Sequence, residues 1–383
     1  MTISTLTFKW LWLQDIHFGV PSIPVGAVTR SFKMVYEAAK RRGIKAVVIG
    51  GDITDRPLEL TNDYGSEFIQ FGLWFLKDAE ANGISIIVIE GTPSHDWKQA
   101  RLLEQLKTSI NSDVNLVYIS TLSIVHLDDF GHVLIVPDQW RASTTTTLME
   151  VKTLLRENNL EQVNWAFMHG SFDYQVAEFL RKRLDLHDSK EYNKIVKKGI
   201  FIGHEHTRSN YLKIHCAGSL ERTKHGQEEE KGGLLVEELC TGNIHIEFIR
   251  NSKAQIFKDI FVDDLTPEQI FSKIDELKIN LDKFANIRLV ATKDVDVYGE
   301  FIKKYKLVYP EIKWSLKNMS TKEQTEPLTE LELIEFSKVN LDVNTIKELV
   351  IGRISEKYPD RLLGLKMTLD NAIDRLELTG AET

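Results

Sequence analysis

Carboxylate and imidazole side chains follow five of the apolar runs in this sequence, each at the point where the run ends. In "LWLQDIHFG" and "IFIGHEH" two such residues are spaced two apart, so both side chains point to one side of an extended chain. Loops at the carboxyl ends of the strands of an α/β sheet converge on one crevice, so we expect these groups to lie together. The residues are Asp15, His17, Asp52, Asp55, His95, Asp96, His169, His204 and His206.

Such a cluster predicts a metal site. Burying several carboxylates and imidazoles side by side is costly unless a cation balances them. Because neither cysteine belongs to the set, the ligands are oxygen and nitrogen, which favours Mn²⁺, Mg²⁺ or Fe over a structural zinc. Any one of these motifs alone is more often a hydrogen-bonded loop. The series as a whole, however, contains more candidate metal ligands than one ion needs. Two divalent ions are typical of phosphate ester displacement, so the pattern predicts a phosphoesterase.

The elements that position these side chains alternate between helical and strand patterns. "SFKMVYEAAKRRG" and "FIQFGLWFLKDAEANG" have helical apolar spacing and end on glycine, and the apolar strands "KAVVIGGD" and "ISIIVIEG" follow them. Three later runs, "YLKIHCAGS", "GGLLVEEL" and "IHIEFIR", predict a meander of antiparallel strands. We therefore expect residues 1–254 to form an α/β fold, a two-sheet β-sandwich flanked by helices.

The character of the sequence changes near residue 255. "LTPEQIFSKIDELK" predicts a helix with Thr266 as its N-cap and Pro267 in its first turn, and the strands "NIRLVATKD" and "EIKWSLKN" come later. These patterns predict a small α+β domain over residues 255–319. Residues 320–383 open with the polar linker "STKEQTEPLTE" and continue with amphipathic patterns, which predict C-terminal helices.

Length and composition restrict the class of protein. A chain of 383 residues is long enough for one large core with one or two appended domains. The two cysteines, Cys216 and Cys240, form no disulfide framework and indicate a reducing compartment. A net charge of −8 argues against broad, unspecific attraction to nucleic acid. Since no segment is a transmembrane candidate, we expect a soluble, cytoplasmic protein without a membrane partner.

The series D-x-H, G-D-x-x-D, H-D, H-G and G-H-x-H resembles the calcineurin-like metallophosphoesterases. A further segment, "AGSLERTKHGQEEEKGGLLVEEL", resembles the SbcD-type nuclease subunit, a relative of the meiotic recombination eleven nuclease. By motif the resemblance covers residues 8 to 250, and beyond them only the order of the domains agrees. The modest size and divergent motifs would also suit a bacteriophage member, in which case the compartment is the host cytoplasm.

The resemblance implies a role for each residue of the series. His95 would lie beside the phosphate, where it stabilises the transition state or protonates the leaving oxygen, and Asp96 would orient His95. Asp55 is interpreted as a group that caps a turn or supports the ligands. The implied ligands are Asp15, His17, Asp52 and His206 for one metal, and the bridging Asp52 with His169 and His204 for the second.

One position departs from the family. The family usually reads Gly-Asn-His-Asp here, and the asparagine oxygen is a ligand of the second metal. This sequence has Ser94 in that place, preceded by Thr92 and Pro93. A serine hydroxyl coordinates a hard cation more weakly, so Ser94 is expected to be a weak ligand, with water as its substitute. The alternative is a degenerate second site, but the other ligand positions are intact and favour an active enzyme.

The function implied by the resemblance is that of a DNA exonuclease and endonuclease in recombination, repair or replication. It would use two divalent ions, Mn²⁺ or in its place Mg²⁺, and form a homodimer. Residues 255–319 would be a capping domain that orients DNA, and the C-terminal helices would bind an SMC-like ATPase of the SbcC type. Two alternatives stay open: a small-molecule or protein phosphoesterase of the same superfamily, and a non-catalytic scaffold that binds DNA ends.

Overall fold

The computed structural model of the chain describes residues 8–138, 143–181, 184–263, 265–278, 285–292 and 297–318. Two compact units make up the chain, one of residues 1–291 and 295–317 and the other of residues 292–294 and 318–383. Nearly all of the second unit lies outside the described residues, as do the linker and C-terminal helices expected in residues 320–383. The domain boundaries drawn from the sequence stay predictions.

Strands make up three sheets in the described part of the chain. In chain order they are β1 (Phe8–Leu13), β2 (Ala46–Gly50), β3 (Ser85–Ile89), β4 (Leu116–Ile119), β5 (Ser123–Leu127), β6 (Gly131–Val136), β7 (Val163–His169), β8 (Val196–Gly203), β9 (Ser209–Tyr211), β10 (Ile214–Cys216), β11 (Gly232–Glu238), β12 (Ile244–Arg250), β13 (Phe257–Phe261), β14 (Asn286–Ala291) and β15 (Lys313–Asn318).

Helices connect most of these strands. They are α1 (Ala27–Lys40), α2 (Asp63–Asn82), α3 (Leu102–Ser109), α4 (Thr144–Glu157), α5 (Glu178–Arg181), α6 (Ser189–Ile195), α7 (Pro267–Lys278) and α8 (Val297–Val308). Helix α2 shows how the sequence sets the ends. The Asn62 side chain accepts a hydrogen bond from the Gly65 amide at 3.0 Å, and Gly83, with φ 61°, closes the helix in the left-handed conformation.

The first sheet has the order β12-β11-β1-β2-β3-β4, and the second has the order β5-β6-β7-β8-β10-β9. Strands β1 to β4 are mutually parallel, and so are β6, β7, β8 and β10. The sheets pack face to face through an aromatic core that includes Trp10, Trp12, Phe167 and Phe201. Parallel strands covered on both faces are apolar throughout, which is why all five residues of β2 are buried.

Helices cover the outer faces of both sheets. Phe32 of α1 and Phe71 and Phe75 of α2 pack against the first sheet, and Val151 and Leu155 of α4 pack against the second. The result is a four-layered α/β sandwich, which confirms the expected fold class. Among the described helices, none combines the length and the apolar character needed to cross a membrane.

The expected antiparallel meander is only partly correct. Strands β11 and β12 are an antiparallel pair and extend the first sheet beside β1. Strand β10, by contrast, lies in the second sheet, parallel to β8 and antiparallel to β9. The apolar pattern marks each of these segments as a strand but does not encode which sheet it joins. The third sheet, β13-β14-β15, has its own core with α7 and α8, in which Ile270, Ile274, Tyr305 and Trp314 are buried.

Candidate metal centre

The carboxyl ends of strands from both sheets meet at one edge of the sandwich. His169, the last residue of β7, donates from Nδ1 to the main-chain oxygen of Gly50 at the end of β2, at 2.8 Å. The amide of His204, directly after β8, donates to the two carboxylate oxygens of Asp15 at 3.1 and 3.0 Å. These bonds join the two sheets at the place where the sequence predicted convergence.

Four of the predicted ligands have a left-handed backbone. The φ angles are 48° at Asp15, 56° at His17, 50° at Asp52 and 98° at His204. Such a conformation costs a non-glycine residue of the order of 1–3 kcal/mol and persists only where the surrounding structure enforces it. Residues in this conformation concentrate at functional sites, so their coincidence with the predicted ligands supports a functional role for this edge.

The first cluster consists of Asp15, His17 and His206, whose ligand atoms all lie within 4.8 Å of one another. The Nε2 atoms of His17 and His206 are 2.9 Å apart. Two imidazole nitrogens this close need a positive centre between their lone pairs, either a proton or a metal cation. Asp15 and His17 are buried, and the Asp15 carboxylate supplies the negative charge that a cation would balance.

The second cluster consists of Asp52, His169 and His204, again with ligand atoms within 4.8 Å. Nε2 of His169 lies 3.2 Å from Oδ1 of Asp52. Because Nδ1 of His169 carries the proton donated to Gly50, Nε2 of the neutral ring offers a lone pair to this cluster. Asp52 belongs to this cluster, and its role as a bridge to a first metal stays a prediction.

Thr92 is a residue of this site that sequence reasoning missed. Its Oγ1 lies 3.3 Å from each of three ligand atoms, Oδ2 of Asp52, Nε2 of His169 and Nδ1 of His204. Its amide donates to Oδ1 of Asp52 at 2.6 Å. Ser94, the expected weak ligand, is exposed. The sequence signal that could have identified Thr92 is its position directly after Gly91. In the turn after β3 this position faces the loop that carries Asp52.

A third group contains His17, Asp55 and His95. Nδ1 of His17 is 3.8 Å from Oδ1 of Asp55, and it is a buried atom without a hydrogen-bond partner in the described part of the protein. Nδ1 of His95 lies against the main-chain oxygen of Asp55, which can only accept, so this nitrogen carries the proton. His95 is thereby oriented by the chain around Asp55.

Asp96 contacts main-chain groups. Its carboxylate accepts hydrogen bonds from the amides of Thr54 at 3.0 Å and Gly91 at 2.8 Å, and it is completely buried. Burial raises its pKa to about 8. The hydrogen bonds tie the loop after β2 to the loop after β3, so Asp96 fixes the two loops that carry Asp52 and His95. The expected contact with the His95 imidazole stays a prediction.

Burial also sets the protonation of the metal-free clusters. It raises the pKa of Asp15 to about 7 and lowers the pKa of His17 to about 3 and that of His206 to about 4. Burial opposes the ionisation of Asp52 and His169 too, but each stabilises the charge of the other. The pKa of Asp52 is therefore lowered and that of His169 raised to about 10.

The residues fit divalent cations. Imidazole nitrogens and buried carboxylates are a donor set for divalent metal cations, and a bound cation would replace the protons that now hold these groups together, including the one on His169. The His/Asp groups form two neighbouring clusters of three, which is the composition of a dinuclear site.

The segment after β10 supports the first cluster. The ammonium of Lys231 is buried and donates to the main-chain oxygen of His206 at 2.9 Å. The side-chain amide of Gln227 contacts Nδ1 of the same histidine at 2.7 Å. Residues from "AGSLERTKHGQEEEKGG" therefore hold the His206 ring in position, which gives this stretch a structural role at the site.

Comparisons with known proteins add little to this geometry. The sequence matches no protein-family model and no curated protein. Among solved structures, TT1561 of Thermus thermophilus aligns with a TM-score of 0.38 and 9% identity, over 63% of this chain and 99% of that chain. GAP50, the anchor in the inner membrane complex of Plasmodium, aligns with a TM-score of 0.38 and 13% identity, over 65% of this chain and 86% of that one. Similarity at this level assigns no function.

Proposed function

We propose that the protein is a two-metal phosphodiesterase that hydrolyses DNA. The observation that carries the proposal is the pair of neighbouring clusters, each with a buried carboxylate and two imidazoles whose ligand atoms lie within 4.8 Å. The DNA substrate is supported by the segment of residues 217–239, which resembles the SbcD-type nuclease subunit, whereas the motif series resembles the calcineurin-like metallophosphoesterases in general.

Asp15, His17 and His206 would hold one cation, and Asp52, His169 and His204 the other. Thr92 Oγ1 is our candidate for a further ligand of the second cation, in place of Ser94. Two bound cations supply an activated water as nucleophile and stabilise the negative charge that develops on the phosphate.

The chain's own residues would bind and orient the substrate. Because Nδ1 of His95 donates to the oxygen of Asp55, Nε2 is the ring atom that would meet the phosphate or the leaving oxygen. Asp96 and the Thr92 amide act on the protein itself, since they fix the loops that carry His95 and Asp52. His95 is therefore the catalytic residue of the proposal, and Asp96 a positioning residue.

The test compares Mn²⁺-dependent digestion of linear DNA with hydrolysis of bis(p-nitrophenyl) phosphate. We expect the wild-type chain to cleave both and the His95→Gln variant to lose most activity on DNA while it still binds Mn²⁺. Cleavage of the small ester alone would assign a small-molecule phosphoesterase. DNA binding without any cleavage, unchanged by Asp52→Asn, would assign a scaffold that binds DNA ends.

The partners of the enzyme are part of the same proposal. An SMC-like ATPase would bind the C-terminal helices, which lie outside the described residues, and the chain would act as a homodimer. We expect co-expression with a candidate ATPase to give a complex whose DNA digestion depends on ATP. A chain truncated after residue 319 that forms the same complex would contradict the assignment of that surface.

A further inference from the structure

Trp97 is held in an unfavourable conformation next to the proposed active site. It is 67% exposed, and its φ of 43° is followed by a φ of 60° at Lys98. A large aromatic residue with a left-handed backbone is an outlier, and two such residues in a row are costly. Since an exposed indole adds nothing to the core, stability does not explain why the chain keeps it there.

Rigid contacts fix the turn on both sides of Trp97. Before it, the buried Asp96 carboxylate is bonded to the amides of Thr54 and Gly91. After it, the Lys98 amide donates to Oε1 of Glu90 at 2.6 Å, and Glu90 also accepts from the Tyr118 hydroxyl. The indole is therefore presented to solvent by a turn that cannot relax without breaking buried hydrogen bonds.

Trp97 lines a cavity that adjoins the metal centre. The cavity has a volume of about 480 Å³, and Pro93, Lys98 and Asp138 also line it. Asp138 is shared with a second cavity, of about 290 Å³, that reaches His169 and His204. The α-carbons of Trp97 and His95 are at most about 7.6 Å apart, since only two peptide units separate them. Through Asp138 the first cavity therefore adjoins the cavity that reaches His169 and His204 of the second cluster.

We propose that Trp97 and Pro93 form a stacking site for a nucleobase of the DNA strand that is cleaved. This proposal rests on the proposed function and names the part of the substrate that the site recognises. An indole face and a proline ring suit a flat, uncharged ring, and base stacking on aromatic side chains tolerates any sequence. The Asp138 carboxylate in the lining can accept from an exocyclic amine of the base, and the Lys98 ammonium in the same lining suits an adjoining phosphate of the strand.

Stacking requires an unpaired base, so the site selects single-stranded or frayed DNA ends. The test measures the affinity for a single-stranded oligonucleotide that carries 2-aminopurine, whose fluorescence is quenched by stacking. Binding is measured in a His95→Gln background, which suppresses hydrolysis if the proposed function holds and alters nothing if it does not.

We expect Trp97→Ala to raise Kd about 5- to 150-fold, which corresponds to ~1–3 kcal/mol for one stacked base. Trp97→Phe should bind within about threefold of wild type because it keeps an aromatic face. Phe179→Ala is the matched control, since Phe179 is also an exposed aromatic residue, 76% exposed, on α5. This variant should bind as wild type does.

A second ligand, an oligonucleotide with an abasic position in place of the stacked base, completes a double-mutant cycle between Trp97 and that base. On this ligand Trp97→Ala and wild type should bind equally. Equal affinities on the intact oligonucleotide, or a loss that persists with every abasic position, would overturn the stacking site. Failure of the proposed function has a different signature, because there the wild-type chain would not cleave DNA, with or without cleavage of the small ester, whatever the outcome at Trp97.

Discussion

Replacing Thr92 by valine tests which hydroxyl of the turn after β3 belongs to the metal site. Valine has the shape of threonine but lacks the oxygen, which lies 3.3 Å from Asp52, His169 and His204. Loss of one polar contact with a charged partner costs ~1.5–3 kcal/mol, or roughly 10- to 150-fold in affinity. We therefore expect the weaker of two Mn²⁺ binding events to weaken by that factor and the tighter one to change little.

Isothermal titration calorimetry with Mn²⁺ measures both events in one experiment. Thr92→Ser keeps the oxygen and should retain most of the affinity. Ser94→Ala removes the exposed hydroxyl two residues away and should bind as wild type does. The reasoning is refuted if Ser94→Ala weakens the second event while Thr92→Val does not, because Ser94 would then be the ligand.

Three further changes address the surroundings of the site. Glu221→Gln removes a buried carboxyl whose pKa burial raises from 4.5 to about 7. The Glu221 carboxyl contributes its full stabilisation below pH 4.5, and this contribution is lost as the pH rises through 7. Wild type should therefore lose roughly 3 kcal/mol of unfolding free energy over this pH range, and the Glu221→Gln variant should not. Urea unfolding at pH 4.5 and 8 checks this, and parallel losses in both proteins would contradict it. Gly91→Ala places a methyl group against the amide and carboxylate of Asp52, so it should weaken Mn²⁺ binding in calorimetry, and unchanged binding would count against the close approach. Removing divalent metal with EDTA should lower the melting temperature, since cations at 100 times Kd stabilise a folded protein by ~2.7 kcal/mol; an unchanged melting curve would argue against a structural contribution from the metals.

The edge of the sheet at which the site forms could be predicted from the sequence. Parallel strands read as apolar runs, and their carboxyl ends must meet, so the convergence of Asp15, Asp52 and His169 followed from the order of the runs alone. The same reasoning gave the two-sheet sandwich, because helices and apolar strands alternate along residues 27–203 except at the consecutive strands β4, β5 and β6.

The roles of the residues within the turn after β3 could not be predicted from the order of the apolar runs. Residues 91–96 fold tightly, and which of Thr92 and Ser94 faces Asp52 depends on backbone angles that no apolar pattern encodes. The main-chain partners of Asp96 could not be predicted for a similar reason. A carboxylate that holds two main-chain amides looks, in sequence, the same as one that orients the neighbouring imidazole.

The central claim is that two divalent cations bind side by side at this edge. Anomalous scattering from crystals grown with Mn²⁺ tests it most directly. We predict two manganese peaks, one coordinated by Asp15, His17 and His206 and the other by Asp52, His169 and His204. A map that has no peak among these side chains, with manganese bound only elsewhere on the protein, would contradict the account.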